Sequence, residues 1–160
     1  MSEGKSFYLE EMMTKEELAQ KYRHLADEIQ EFILIIGRLH KYDLTWRDWD
    51  VLFNGESVES IQTDCYHIVS WLDSCLLSRQ LTRKEVPDGI GVFVDSDWME
   101  SEKVKFETYQ VQEVKALPSQ MSEETSALFL KDMRIITHKA ALISTLCLSL
   151  AKEIDRYVLE

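Results

Sequence analysis

The last third of the chain carries an apolar repeat that only a long helix can satisfy. From Phe129 to Tyr157, apolar residues recur in alternating steps of four and three, and no Gly or Pro interrupts them. If the helix begins after Pro118, with Ser122 and Thr125 as possible caps, and continues to about Leu159, it is about 55 Å long at 1.5 Å per residue. The seam consists of Phe129, Met133, Ile136, Ala140, Ile143, Cys147, Leu150, Ile154 and Tyr157.

Two further long helices are predicted from the same period. The first runs from about Thr14 to Lys41, and Thr14 with Glu17 forms a capping-box pattern at its start. The second runs from about Ser57 to Leu81. A short helix starts near Thr45, and Asn54-Gly55 ends it. The seams predict these buried core residues: Ile29, Phe32, Ile36, Ile68, Leu72, Ile136, Ile143 and Leu150.

The helical period is lost between residues 83 and 119. Pro87-Asp88-Gly89 predicts a turn, and residues from Lys103 to Val114 largely alternate between apolar and polar. We therefore expect a small β-hairpin or extended loop between about residues 89 and 115, packed on the helices. The predicted fold is mainly α: a single-domain bundle over 1–160 of three long helices and a short one, with a loosely ordered segment at 1–13.

Charge and cysteine content narrow the functional class. The net charge is −11, from 29 acidic and 18 basic residues, which is unfavourable for direct binding to nucleic acid or anionic membranes. The three cysteines include no C-x-x-C and predict free core thiols in a reducing compartment: Cys65, Cys75 and Cys147. The N-terminus does not resemble a signal peptide, and the most apolar stretch, 140–151, is too short to span a bilayer. These features predict a cytoplasmic protein.

An acidic cluster with a tryptophan is the strongest candidate interaction surface. It comprises Asp95, Asp97, Trp98, Glu100 and Glu102. Its charge suits a protein partner with a basic surface, and tryptophan is enriched at interface hot spots. We therefore predict a non-enzymatic interaction or regulatory protein, such as an inhibitor, an adaptor or an immunity-type protein, without a cofactor.

The length of the last helix predicts a homo-oligomer, most simply a two-fold dimer. No other predicted helix is long enough to cover it, and its seam stays apolar almost to the chain end. The predicted dimer interface is Ile143, Cys147, Leu150, Ile154 and Tyr157. The alternative is that the helix breaks near Lys139-Ala140 and folds back, so that it covers itself.

A second reading of the function comes from the acidic cluster Asp27, Glu28 and Glu31 on the first helix. The run from Leu25 to Phe32 resembles the first acidic motif of the MazG-like all-α nucleotide pyrophosphatases. That resemblance implies a Mg²⁺-dependent nucleoside triphosphate pyrophosphohydrolase, in which a second helix adds further carboxylates. The best match there is Asp64, so the implied metal ligands are Glu28, Glu31 and Asp64.

Two further pairs carry partial signals. Asp64 and His67 form a D-x-x-H on the second helix, similar to one side of a carboxylate-bridged di-metal site. Arg134 and His138 resemble the Arg and His of HEPN-type ribonuclease domains, with a shorter spacing. The simpler interpretation of both pairs is a hydrogen-bonding or solvated helix face.

Overall fold

The computed structural model describes residues 14–82, 94–109 and 121–159. Helices account for 85% of these residues, and no strand occurs among them. The elements are α1 (Lys15–Gly37), a 3₁₀ turn (Arg38–Lys41), α2 (Trp46–Phe53), α3 (Val58–Ser78), α4 (Ser96–Thr108) and α5 (Glu123–Leu159). The segment 1–13, predicted to be loosely ordered, lies outside the described residues.

The helix starts that local sequence predicts are confirmed. Thr14 accepts a hydrogen bond from the Glu17 backbone N–H, and the Glu17 side chain accepts one from the Thr14 N–H. Thr45 caps α2 and Ser57 caps α3 in the same way, through their hydroxyl oxygens. Asn54 ends α2 in the left-handed region at φ 53°, as the Asn-Gly pair predicts.

The predicted β-hairpin is wrong where the structure describes that part of the chain. Residues Ser96–Thr108 form α4, which buries Met99, Glu102 and Phe106 at helical spacing. In a strand, the alternating pattern from Lys103 onward would place Val104 and Phe106 on the same buried face. Val104 is instead 55% exposed, so the pattern is misleading here. The flanking parts of the predicted hairpin, 89–93 and 110–115, lie outside the described residues.

The helices pack as a bundle around α1 and α5. α1 runs antiparallel to α5, since its last turn and the 3₁₀ turn lie beside Asp132 while Lys21 lies beside Ser149. α1 also packs against α3, where the Gln62 side chain donates to the Ile33 carbonyl oxygen at 2.9 Å. α4 packs along α5 and contacts α3 through the rings of Trp98 and Trp71.

The bundle buries the predicted core. All eight predicted core residues are at most 4% exposed. The three cysteines are free and buried, as predicted. Burial raises the pKa of the Cys147 thiol to about 12 and also raises that of Cys65, so both stay protonated at neutral pH.

α5 is a single unbroken helix of 37 residues. Its stretch Glu123–Arg156 is long and apolar enough, by length and composition, to cross a membrane, a test that the core helix of a soluble protein also passes. In the bundle, this composition has a structural explanation. One stripe of α5 lies in the core, and a second apolar stripe lies on its outer side.

Candidate functional site

A lysine joins the acidic cluster of α1 to α5. The Lys139 ammonium lies 2.6 Å from Glu28 Oε2 and 2.6 Å from Glu31 Oε2. The hydrogen bonds that Lys139 donates to these two carboxylates raise the pKa of Lys139, and the same bond and the charge of Lys139 lower the pKa of Glu31. The two glutamates therefore serve as anchors between α1 and α5.

The implied metal ligands do not come together. Among the described residues, no group of three or more His, Cys, Asp or Glu side chains could hold a metal ion. Glu28 and Glu31 bind Lys139, whereas Asp64 lies on α3 near Glu102. His67 is exposed. The magnesium-dependent reading therefore stays a prediction without geometric support in this part of the chain.

The predicted acidic interaction surface is divided by the fold. Asp95 caps α4 by accepting the Trp98 backbone N–H at 2.8 Å, and Trp98 packs on Trp71 with ring centroids 5.6 Å apart. Glu102 is 4% exposed and belongs to the core, so its assignment to a surface is wrong. Of the five residues, only Asp97 and Glu100 are exposed.

Most residues of the predicted dimer interface are buried within one chain. Ile143, Cys147, Leu150 and Ile154 are at most 1% exposed within one chain, because α1 and α4 both pack on α5. The premise that nothing in the chain covers α5 is therefore wrong, and these four side chains offer no free surface. The Tyr157 side chain lies outside the described residues. A homo-oligomer stays a prediction that needs another interface.

A second apolar stripe runs along the outer side of α5. Leu128 and Leu142 are 54% and 42% exposed, and Ile135 lies between them, half-buried. The three are seven residues apart, so they form a line along the helix, about a third of a turn away from the core seam. We call Leu128, Ile135 and Leu142 the outer seam.

Part of the outer seam borders a surface groove of about 360 Å³. The groove is lined by Arg134, Ile135, His138, Lys139 and Leu142. A separate hollow of about 470 Å³ lies at the α1–α5 boundary, where Leu146 and Ser149 meet Lys21 and His24. The apolar strip formed by the outer seam is therefore concave beside Ile135 and Leu142.

One side of the outer seam carries basic side chains, whereas Lys139, on the side toward α1, is paired with Glu28 and Glu31. Between residues 125 and 151 the cationic or titratable basic residues are Lys131, Arg134, His138 and Lys139, and the only carboxylate is Asp132. Asp132 is buried and bound by groups from the α1 side. Lys131, Arg134 and His138 are exposed. A chain with net charge −11 thus presents two exposed cations, Lys131 and Arg134, along one side of the outer seam, which begins one turn after the exposed Glu124.

Comparisons with protein-family models, with curated proteins and with solved structures find no match to this chain. The candidate site therefore depends on the geometry alone.

The sequence contains a signal for the outer seam. The heptad spacing of Leu128, Ile135 and Leu142 is visible, and Arg134 with His138 falls between them. What local sequence does not show is which of the two apolar stripes of α5 the rest of the chain covers. That choice is made by α1 and α4, which are distant in sequence.

Proposed function

We propose that the protein is a non-enzymatic interaction protein and that the outer seam of α5 is its binding surface. The observation that carries the proposal is the exposure of Leu128 and Leu142 beside the half-buried Ile135, in a line on the longest helix and partly within a groove. Exposed apolar side chains aligned on one helix and beside a groove are typical of protein–protein contact sites.

The helix that carries the seam is held rigidly. The Lys139 bonds to Glu28 and Glu31 fix α5 against α1 immediately beside Leu142. A rigid surface loses little conformational entropy when a partner binds, which favours recognition by a preformed face.

The test is binding of an uncharged amphipathic peptide of three heptads, with Leu at the a and d positions and Gln at the flanking ones. We expect fluorescence anisotropy to show saturable binding to the wild-type protein. Leu142→Asp should weaken it at least tenfold, because a carboxylate would be desolvated in the contact. Leu77→Asp is the matched control, since Leu77 is 88% exposed on α3. Equal effects of the two substitutions, or no binding, would contradict the proposal.

A simple assay distinguishes this proposal from the alternative function, a magnesium-dependent nucleotide hydrolase. Magnesium-dependent release of pyrophosphate from nucleoside triphosphates, lost in Glu28→Ala and Glu31→Ala, would support the hydrolase instead. Because both carboxylates bind Lys139, each variant also needs a denaturation curve, so that loss of folding is not mistaken for loss of catalysis.

A further inference from the structure

The charge around the outer seam constrains what can bind there. Lys131, Arg134 and His138 lie along one side of the seam, and between residues 125 and 151 the buried Asp132 is the one carboxylate of α5. The nearest exposed carboxylates are Glu124, one turn before Leu128, and Glu31 of α1, which is paired with Lys139 on the other side. A partner with acidic side chains beside its apolar residues would gain both attraction and faster encounter, whereas a basic partner would be repelled.

The shape of the strip favours a helix as the occupant. The seam repeats every seven residues, which is the spacing that a second helix presents when it packs alongside. The groove next to Leu142 is concave and its lining is mostly apolar, so it fits the apolar face of such a helix.

We propose that the outer seam binds an acidic amphipathic helix of a partner protein, with apolar residues of the partner on Leu128, Ile135 and Leu142 and its carboxylates facing Lys131, Arg134 and His138. The inference rests on the proposed function, because it names the partner chemistry for the same surface. The partner proposed here is acidic, whereas the acidic cluster at 95–102 predicted a partner with a basic surface.

An anionic membrane surface is the main competitor for an apolar, cationic strip. The net charge of −11 opposes it, because the rest of the molecule would be repelled by the same lipids. A second copy of this chain is also disfavoured, since its outer seam would bring Lys131 and Arg134 near cations of the same kind.

The experiment compares three peptides that share the same Leu heptads and differ only in the flanking residues, which are Glu, Gln or Lys. We expect the Glu peptide to bind at least tenfold more tightly than the Lys peptide at low salt, with the Gln peptide between them. The difference should shrink at high salt because ionic screening weakens exposed charge pairs. The double variant Lys131→Glu with Arg134→Glu should reverse the order of the Glu and Lys peptides.

Arg23→Glu is the matched charge control, since Arg23 is exposed on α1 toward α3. It should leave the order of the peptides unchanged. Equal affinities for the three peptides, or a preference for the Lys peptide, would overturn the acidic partner while leaving the outer seam as a binding surface. Failure of all three peptides to bind would overturn the proposed function as well.

Two further measurements address the competing occupants. Binding to vesicles that contain phosphatidylserine, without binding of the Glu peptide, would overturn the inference in favour of a membrane surface. Light scattering of the wild-type protein and of Leu142→Asp at micromolar concentration, compared with the chain mass of 18.8 kDa, tests for a second copy on the outer seam. A dimer that Leu142→Asp dissociates would overturn the inference in favour of a second copy.

Discussion

Asp132 and Glu102 are two carboxyl groups buried to nearly the same depth, 6% and 4% exposed, in opposite electrostatic surroundings. Asp132 accepts a hydrogen bond from the Tyr42 hydroxyl at 2.6 Å and lies 3.0 Å from the Lys41 ammonium. Glu102 has Lys105 at 3.4 Å from one oxygen, and its other oxygen has no hydrogen-bond partner among the described residues. Depth alone therefore does not determine the charge state of a buried acid.

The pKa values of the two groups move in opposite directions. Burial by itself raises the pKa of Asp132, but the hydrogen bonds from Tyr42 and Lys41, with the charges of Lys41 and Arg38, outweigh it and lower the pKa. Burial raises the pKa of Glu102, the nearby Asp64 adds to the rise, and Lys105 offsets only part of it. The bundle thus contains one buried acid whose pKa is lowered by its partners and one whose pKa is raised by burial.

The largest expected effect tests the aromatic packing beside the buried Asp132. Phe129 is fully buried, and its ring packs edge-on against Tyr42 with centroids 5.2 Å apart. Phe129→Ala should lower the free energy of unfolding by about 3–5 kcal/mol, because it leaves a cavity beside the Asp132–Tyr42 pair. Leu128→Ala is the control, since the preceding residue is 54% exposed and should cost less than about 1 kcal/mol. Similar losses in urea denaturation for both variants would contradict this packing.

The next effect tests the partners of Asp132. Asp132→Asn should cost about 1–3 kcal/mol at pH 7, because a charge-assisted set of bonds is replaced by neutral ones. Since the folded-state pKa of Asp132 is lowered, its contribution is present above the unfolded value of about 3.9 and is lost as the pH falls through the folded value. The difference between wild type and variant should therefore disappear in acid. A difference that persists below the folded pKa would show that the substituted amide fails through its shape and not through its missing charge.

Much of this fold is predictable from local sequence. The caps at Thr14, Thr45 and Ser57 involve residues within three positions of each other, so the sequence pattern contains the whole interaction. The core seams of α1, α3 and α5 are predictable for a related reason, since a helix places residues three and four apart on one face.

α4 shows where that logic stops. Its buried face is Met99, Glu102 and Phe106, and the glutamate in the middle interrupts what would otherwise be an apolar helical seam. A sequence pattern treats a glutamate as a surface residue, because acidic side chains are rarely buried without partners. The ion pair between α1 and α5 could not be predicted from local sequence either, because it joins Lys139 to Glu28, which are 111 positions apart.

A third prediction concerns Glu102, whose effect on the pH dependence of stability has the opposite sign to that of Asp132. A raised folded-state pKa means that ionised Glu102 destabilises the fold, so its cost is absent below the unfolded value of about 4.3 and grows as the pH rises through the folded value. Glu102→Gln should therefore be about as stable as wild type near pH 4. It should gain on wild type as the pH rises, by on the order of 1 kcal/mol at pH 8, because the raised pKa of Glu102 makes its ionisation unfavourable in the fold.

Thermal denaturation of both proteins across this pH range measures the effect. Glu100→Gln is the matched control, because Glu100 is exposed on the same helix and should reproduce the pH profile of wild type apart from a small uniform shift. If Glu102→Gln follows wild type at every pH, the unpartnered oxygen has no energetic consequence, and the contrast with Asp132 is broken.

The smallest expected effect isolates the one cation beside Glu102. The Lys105 side chain is 46% exposed and reaches Glu102 at 3.4 Å, so solvent screens most of their attraction. Lys105→Gln should cost no more than about 0.5 kcal/mol at pH 8 and nothing near pH 4, where Glu102 is protonated. In the Glu102→Gln background, the same substitution should have no pH-dependent effect, because no carboxylate remains to be screened. A larger coupling in this double-mutant cycle would mean that Lys105 stabilises Glu102 as strongly as Lys41 and Tyr42 stabilise Asp132, and that the two acids differ in geometry but not in charge state.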